Sequence, residues 1–183
     1  MALSQRLWAT KNKKLSKQQI ASPVSLQLDS RLLPLMTKVD FYILEGAASS
    51  RPDLFACRLL EKIYLKGHRC YVYQPETKPA EQLDQLLWSF REGSFIPHQQ
   101  WQESQKGDPA RLNIISIGGD APPIQDDDVL LNMGLDVPGF FSRFHRLVEI
   151  VGTNPQQKEA SRKRYRFYRD RGYPLESHKI ITG

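Results

Sequence analysis

Residues 39–73, VDFYILEGAASSRPDLFACRLLEKIYLKGHRCYVY, decide the fold. The opening VDFYIL is a run of apolar, aromatic and β-branched residues typical of a buried strand, and the closing RCYVY is a second run of this kind. Between the two runs, Leu54, Cys57, Leu60 and Tyr64 recur at helical spacing. The stretch therefore predicts a strand–helix–strand unit.

Strand and helix patterns alternate in the same way through the rest of the chain. Helices are predicted at PAEQLDQLLWSF (79–90) and over 155–171, with a short one at PGFFSRFH (138–145). Further strands are predicted at LNIISIGG (112–119), DVLLNMG (128–134) and RLVEIVG (146–152). After the last helix, RGYPLE is expected to stop the helix and to turn at Pro174. The alternation indicates one α/β domain over residues 36–183, with a mainly parallel sheet covered by helices on both faces.

The first 35 residues have a different composition. They are rich in Gln, Ser and Lys, contain Pro23 and Pro34, and show no sustained period. We therefore predict a mostly disordered basic extension over residues 1–35. Met36 stands directly before the first strand and reads as an alternative initiation site. The sequence leaves open whether the preceding residues are an accessory arm or lie upstream of the true start.

The net charge of +6 is concentrated in two segments. Residues 1–35 hold six basic residues against one acidic residue, and residues 158–171 hold seven against two. Basic residues clustered on one tail and one helix do not indicate a surface that wraps duplex nucleic acid.

Motifs for a cofactor, a metal ion or catalysis are missing from the sequence. The glycines at Gly46 and at Gly118-Gly119 lack the spacing of a phosphate-binding loop. The run Asp126–Asp128 is typical of a solvated loop rather than of a metal site. The four histidines are scattered, and no G-x-S-x-G elbow presents a serine nucleophile. We expect no cofactor, no metal and no catalytic site.

The two cysteines also read as structural residues. Cys57 and Cys70 stand in an apolar helix pattern and an apolar strand pattern, without metal-ligand spacing. Reduced packing thiols of this kind indicate a cytoplasmic protein. No apolar run approaches the ~18 residues of a membrane span, so we expect no contact with a membrane.

Four segments together resemble the chi subunit family of bacterial DNA polymerase III. They are VDFYILEGAA (39–48), LLWSFREGSFIPH (86–98), DVLLNMGLDVPGFFSRFHRLVEIV (128–151) and RYRFYRDRGYPLESHK (164–179), in the family's order and at similar separations. The resemblance covers Met36 to Lys179. It implies a Rossmann-like fold without a bound nucleotide, and a non-catalytic accessory protein of the clamp loader in DNA replication.

The same resemblance implies two protein partners and a mainly indirect contact with DNA. One partner is the psi subunit, which connects to the clamp loader. The other is the acidic C-terminal tail of the single-stranded-DNA-binding protein, a run of aspartates that ends in Pro-Phe and a free carboxylate. A peptide of this kind needs guanidinium groups for its carboxylates and an apolar slot for its ring.

The last predicted helix offers both features on one face. Arg162, Tyr165, Arg166 and Arg169 fall at i, i+3, i+4 and i+7, so they lie on the same side of the helix. The resemblance implies that they bind the tail, and that Trp88 lies beside Arg162 and supplies the walls of the slot together with Tyr165. Taken without the resemblance, a basic helix of this kind is usually a solvated outer face.

The resemblance also implies that Phe95, in GSFIPH, contributes to the psi-facing surface. The sequence leaves open whether this ring is tucked underneath or offered to a partner. Two rival functions stay open as well. One is direct binding of single-stranded nucleic acid, with Trp88 and Tyr165 stacking on bases and the arginines on phosphates. The other is an enzyme that uses a nucleotide, and the missing phosphate loop speaks against it.

Overall fold

The structure is a computed structural model that describes residues 36–102, 115–123 and 128–182, so the extension predicted for residues 1–35 lies outside it. The strands are β1 (Lys38–Gly46), β2 (Cys70–Tyr73), β3 (His98–Gln100), β4 (Ile115–Gly118), β5 (Val129–Asn132), β6 (Arg146–Val151) and β7 (Leu175–Thr182). The α-helices are α1 (Pro52–Leu65), α2 (Thr77–Ser89) and α3 (Pro155–Asp170). Every helix in the described ranges is too short or too polar to cross a lipid bilayer.

The strands of the described residues form one sheet in the order β3-β4-β2-β5-β6-β1-β7, and each neighbouring pair is parallel. Parallel strands need crossover connections, and α1, α2 and α3 supply those from β1 to β2, from β2 to β3 and from β6 to β7. The prediction of a Rossmann-like α/β fold with a mainly parallel sheet is confirmed.

Helices cover both faces of the sheet, as the sequence predicted. On one face, Leu60 of α1 and Leu83 of α2 pack in a core that includes Val72 of β2. On the other face, Tyr168 of α3 packs in a second core that includes Tyr71 of β2. Because neighbouring residues of a strand point to opposite faces, β2 contributes to both cores. The two helices α1 and α2 therefore lie on the opposite face of the sheet from α3.

Both cysteines are buried in the core under α1 and α2. Burial raises the pKa of Cys57 to about 12, with a smaller contribution from the charge of Asp53. A thiol with this pKa stays protonated, so the expectation that Cys57 is a packing residue agrees with its surroundings.

Local sequence explains where α3 begins and ends. The side chain of Asn154 accepts hydrogen bonds from the backbone N–H groups of Gln156 (2.9 Å) and Gln157 (3.3 Å), which caps the first turn. At the other end Gly172 has a φ of 78°, a conformation that favours glycine. The N–H of Tyr173 then donates to the carbonyl of Tyr168 (3.1 Å), which closes the helix.

The turn expected at Pro174 is wrong, because the chain continues directly into an eight-residue strand. The carbonyl of Pro174 accepts a hydrogen bond from the N–H of Val39 (2.9 Å), and β7 then pairs with β1 along its length. The short strand β3 was not predicted either. It holds three residues, too few to show an apolar alternation.

Two predicted features lie partly outside the described residues. The strand expected over 112–119 is β4, and residues 112–114 are not described. Of the run Asp126–Asp128, the structure describes Asp128 alone, whose carboxylate accepts a hydrogen bond from the backbone N–H of Arg69 (2.9 Å).

Candidate functional site

The basic residues predicted to bind a peptide do share one face of α3, which we call the arginine face (Arg162, Tyr165, Arg166 and Arg169). The three arginines are exposed and Tyr165 is half-buried. The ring of Tyr165 stands edge-on to Phe41 of β1, with the centroids 5.2 Å apart. The tyrosine is therefore fixed against the sheet, while the guanidinium groups reach into solvent.

The guanidinium groups of the arginine face differ in whether they already pair with a carboxylate. Arg169 donates two hydrogen bonds to Oδ1 of Asp170, at 2.9 and 2.8 Å. For Arg162 and Arg166, no carboxylate of the described residues lies within ion-pair distance of 4.0 Å. Both nevertheless contribute, after Lys163, to lowering the pKa of Glu159. The two planar donor groups of Arg162 and Arg166 are thus the ones that can take up a ligand carboxylate without first losing a partner.

Arg164 lies on the opposite side of α3, where it is buried and belongs to an internal hydrogen-bond network. Its Nε donates to both carboxylate oxygens of Glu149 (3.0 and 2.9 Å), and its Nη1 donates to the carbonyl of Leu135 (2.6 Å). Its Nη2 donates to Oγ of Ser161 (3.1 Å). One of the seven basic residues of segment 158–171 is therefore internal and adds nothing to the surface charge.

Glu149 is fully buried in the middle of β6, and further donors satisfy its carboxylate. The hydroxyl of Tyr168 and Nδ2 of Asn132 each donate to Oε1 at 3.0 Å. Burial, followed by the charge of Glu149, raises the pKa of Tyr168 far above its ordinary value. This network fixes the rotation of α3 about its own axis, which keeps the arginine face turned outward.

Strand β7 borders the arginine face and was missed by the sequence prediction. Ser177 pairs with Phe41, so by strand alternation Ser177, Lys179 and Ile181 point to the same side of the sheet as Phe41 and α3. The side chain of Lys179 is exposed, with its Nζ 3.5 Å from Oε1 of Glu45. Ile181 is 72% exposed. The strand thus adds a cation and an apolar side chain to the face of the sheet that carries α3.

Trp88 does not lie beside the arginine face, and that expectation is corrected. It is on α2, which packs on the opposite face of the sheet from α3. Its ring lies 4.6 Å from the ring of His98 in β3, whereas α3 is anchored to Glu149 in β6. Four strand spacings of ~4.8 Å separate β3 from β6, which is about 19 Å across the sheet. Trp88 and Tyr165 cannot be walls of one slot.

Trp88 instead forms a second surface with Phe95, which we call the aromatic pair. The two rings have centroids 5.6 Å apart and are 55% and 67% exposed. His98 packs against the ring of Trp88. Its Nδ1 lies 2.7 Å from the carbonyl of Ile96, and its Nε2 lies 3.1 Å from the carbonyl of Asp84. The question about Phe95 is thereby answered, since its ring is offered to solvent.

Asp40, Glu176 and His178 place their ligand atoms within 4.8 Å of one another, close enough for a metal ion. Side chains of the protein already contact these carboxylates. Arg146 Nε lies 2.6 Å and His178 Nε2 2.7 Å from the two oxygens of Asp40, and Lys38 Nζ lies 2.7 Å from Glu176. Burial raises the pKa of Asp40, but the hydrogen bonds from Arg146 and His178 outweigh it and hold the pKa below its usual value. The cluster is an ion-pair network that joins β1, β6 and β7.

Known structures share the fold of this chain at low sequence identity. The crystal structure of T4 UvsW matches with a TM-score of 0.58 and 7% identity, over 79% of this chain and 41% of that one. Mss116p DEAD-box helicase domain 2 bound to an RNA duplex matches with a TM-score of 0.50 and 14% identity, over 80% of this chain and 65% of that one. These likenesses describe the fold alone.

Sequence relatives are more specific. Residues 36–176 match the family model described as DNA polymerase III chi subunit, HolC. DNA polymerase III subunit chi of Pseudomonas aeruginosa is 37% identical over 145 residues, which covers 79% of this chain and 98% of the relative. The proteins of that name from Haemophilus influenzae and Escherichia coli are each 25% identical, over 76% and 78% of this chain and 95% and 97% of the relatives. The chain therefore belongs to the chi subunit family of DNA polymerase III.

Proposed function

We propose that this chi subunit is a non-catalytic adaptor that binds the acidic C-terminal tail of the single-stranded-DNA-binding protein through its arginine face and reaches the clamp loader through psi. The observation that carries the proposal is the pair of exposed guanidinium groups of Arg162 and Arg166. In the helix sequence they precede and follow Tyr165, whose ring is packed against the sheet. Exposed guanidinium groups without a carboxylate partner among the described residues suit a ligand that supplies carboxylates.

The tail's two chemical features have counterparts on this face of the protein. Its aspartates and terminal carboxylate meet Arg162 and Arg166, and the exposed Lys179 of β7, which lies 3.5 Å from Glu45, adds a third cation once it exchanges that partner. Its terminal phenylalanine needs apolar surface, which the half-buried ring of Tyr165 offers from α3. The site we propose therefore uses α3 and β7 and leaves out Trp88.

The expected affinity is modest. Burying one phenylalanine ring contributes ~1.5–3 kcal/mol, and each charge-assisted hydrogen bond to a carboxylate contributes about 1.5–3 kcal/mol. After the cost of association, this leaves an affinity on the order of micromolar, or about −8 kcal/mol. Binding of this strength lets the tail exchange while DNA is being copied.

We further propose that the aromatic pair is the psi-facing surface. Two adjacent aromatic rings that are more than half exposed lose favourable burial when they face water, and aromatic residues are enriched where proteins meet. We include Trp88 in this surface because its ring contacts Phe95 and because it lies on the opposite face of the sheet from α3.

Fluorescence polarisation of a labelled, aspartate-rich peptide that ends in Pro-Phe tests the arginine face on the full-length chain. We expect micromolar binding that Arg162→Ala and Arg166→Ala each weaken by about tenfold or more, equivalent to ~1.4 kcal/mol. Lys163→Ala is the matched control, because it removes a cation of the same helix that is paired with Glu159 at 3.0 Å. Trp88→Ala is expected to leave tail binding unchanged.

Other results would contradict the tail site. If Lys163→Ala weakens binding as much as Arg162→Ala does, the peptide responds to the charge of the whole helix. If a bare single-stranded oligonucleotide binds tightly and loses affinity in the same arginine variants, the face binds phosphates, as the rival single-strand function requires.

Co-purification of psi with the full chain tests the aromatic pair. Phe95→Ala and Trp88→Ala are expected to lose psi while retaining tail binding. Leu65→Ala is the matched control, since Leu65 is also an exposed apolar side chain but lies on α1. Retention of psi by both aromatic variants would place the partner elsewhere.

A further inference from the structure

A cavity of about 380 Å³ opens between α1 and the sheet, on the face of the sheet opposite to α3. Leu59 and Ile63 of α1 and Val148 of β6 supply apolar lining, and the ring of Tyr42 in β1 contributes an aromatic wall. A volume of this size lies within the ~300–1,000 Å³ typical of small-molecule sites. Neither the arginine face nor the aromatic pair includes any of its lining residues.

Lysine and histidine side chains from three places in the chain line this cavity. Lys62 lies in the last turn of α1, Lys66 caps the C-terminus of this helix, His68 follows it, and His145 stands directly before β6. Among the residues that the structure describes, no carboxylate lies within 4.0 Å of these four side chains. Two lysines on adjacent turns repel each other, so an anion between them is favoured.

The other charged groups of the lining already have partners. Asp128 is held by the backbone N–H of Arg69 at 2.9 Å, and the Nε of Arg69 lies 3.7 Å from the same carboxylate oxygen. Arg146 is paired with the buried Asp40 at 2.6 Å. Since these pairs are close to neutral, the two lysines give the cavity its net positive charge.

We infer that this cavity is a binding site for a phosphorylated small molecule with a planar, largely apolar body, of the class of a nucleoside 5′-monophosphate. Lys62 and Lys66 match the two negative charges of a phosphate monoester, whereas a single carboxylate would need one of them. Leu59, Ile63 and Val148 offer apolar surface for a flat ring system, and the Tyr42 ring, which is stacked on His178 at 4.8 Å, lines one side of it. The same chemistry is presented by a free nucleotide and by the 5′-phosphorylated end of a DNA strand.

The cavity is unlike the nucleotide site of a dinucleotide-binding fold. It lies at the amino ends of β5 and β6, where Asp128 and His145 precede the strands, whereas such folds bind nucleotides beyond the carboxyl ends. Lysine side chains supply its positive charge, so it needs no glycine-rich loop whose backbone N–H groups would bind the phosphate. It also shares no residue with the tail site, so each proposal can be tested independently of the other.

Calorimetric titration of the full-length protein with deoxyadenosine monophosphate is the test. We expect saturable binding at one site, weakened about tenfold or more in the double variant Lys62→Ala/Lys66→Ala. Both lysines are exposed, so the double variant should fold. Lys163→Ala removes one cation on the other face and is expected to leave the affinity unchanged. Deoxyadenosine and inorganic phosphate should each bind about tenfold or more weakly than the nucleotide.

Three results would overturn the inference. They are no saturable binding up to about 5 mM nucleotide, equal binding by the double lysine variant, and equal binding by inorganic phosphate, which would indicate a general anion site. Competition with one oligonucleotide, tested with and without a 5′-phosphate, distinguishes a free nucleotide from a DNA end as the ligand. Displacement by the phosphorylated form alone identifies a DNA end as the ligand, and failure of both forms to displace the nucleotide identifies the free nucleotide. Equal displacement by both forms would also contradict the inference, because backbone phosphates would then be enough for binding.

Discussion

Replacing Arg164 with alanine should cost far more stability than replacing Arg166, although the two residues are neighbours in the same basic helix. Arg164 is buried and holds the fully buried carboxylate of Glu149 through Nε at 3.0 and 2.9 Å and through Nη2 at 2.7 Å. Without the guanidinium group, Glu149 keeps the hydroxyl of Tyr168 and the amide of Asn132 but loses the cation that neutralises it.

Removing one partner of a buried ion pair destabilises a protein by about 3–5 kcal/mol. For a domain of this size, each kcal/mol lowers the melting temperature by roughly 2–4 °C. We therefore expect Arg164→Ala to lower it by about 6–20 °C. Arg166→Ala, at an exposed position without a described ion-pair partner, should change the stability by less than about 0.5 kcal/mol.

Urea and thermal unfolding, followed by circular dichroism at pH 7, measure both variants against the wild type. Tail-peptide binding, measured well below the melting temperature, separates the roles, since Arg166→Ala should lose affinity while retaining stability. If Arg164→Ala unfolds within about 1 kcal/mol of the wild type, the network does not hold α3 and the assigned orientation of the helix is wrong.

Three further outcomes are expected from the same structure. Because the pKa of Asp40 is held below its ordinary value, its contribution to stability is complete above about pH 5 and is lost as the pH falls through the lowered pKa. Urea midpoints between pH 3 and 7 should therefore fall less steeply for Asp40→Asn than for the wild type. Cys57, buried and with its pKa raised to about 12, should react with a thiol reagent only at the rate at which the protein opens, so urea should accelerate labelling in step with unfolding. Asn154→Ala, which removes the cap of α3, should cost about 1 kcal/mol in chemical denaturation, and Asn154→Ser should restore most of it.

The fold could be predicted from the sequence because its main signals are local. The apolar runs of β1, β2, β5 and β6 and the spacing in the helices are visible in the chain itself. Strand β7 was missed because Pro174 suggested a turn and because the residues after Leu175 are mostly polar. It is a strand because β1 leaves an open edge, and strand pairing of that kind is decided by distant parts of the chain.

The candidate site was predicted in part for a similar reason. The i, i+3, i+4, i+7 spacing correctly puts Arg162, Tyr165, Arg166 and Arg169 on one helix face. The same spacing cannot tell which arginine points inward, and Arg164 was counted as surface charge. The available signal was Glu149, an acid with apolar neighbours on both sides in LVEIV (147–151), which needs a buried cation.

Trp88 was misplaced because the order of segments along a chain does not say which face of a sheet each helix covers. That depends on the direction of each crossover. Helices α1 and α2 follow β1 and β2 toward the β3 edge, whereas α3 leads from β6 to the β7 edge on the other face. Only the assembled sheet separates the tryptophan from the arginines.

The separation of the arginine face from the aromatic pair by the full thickness of the sheet has a consequence for assembly. Two ligands bound there cannot collide, and neither has to leave for the other to arrive. If both are attached to one larger complex, capture at one surface turns capture at the second into an intramolecular step, at an effective concentration of about millimolar for a short flexible connection. Two weak contacts arranged back to back can then hold firmly while each still releases quickly.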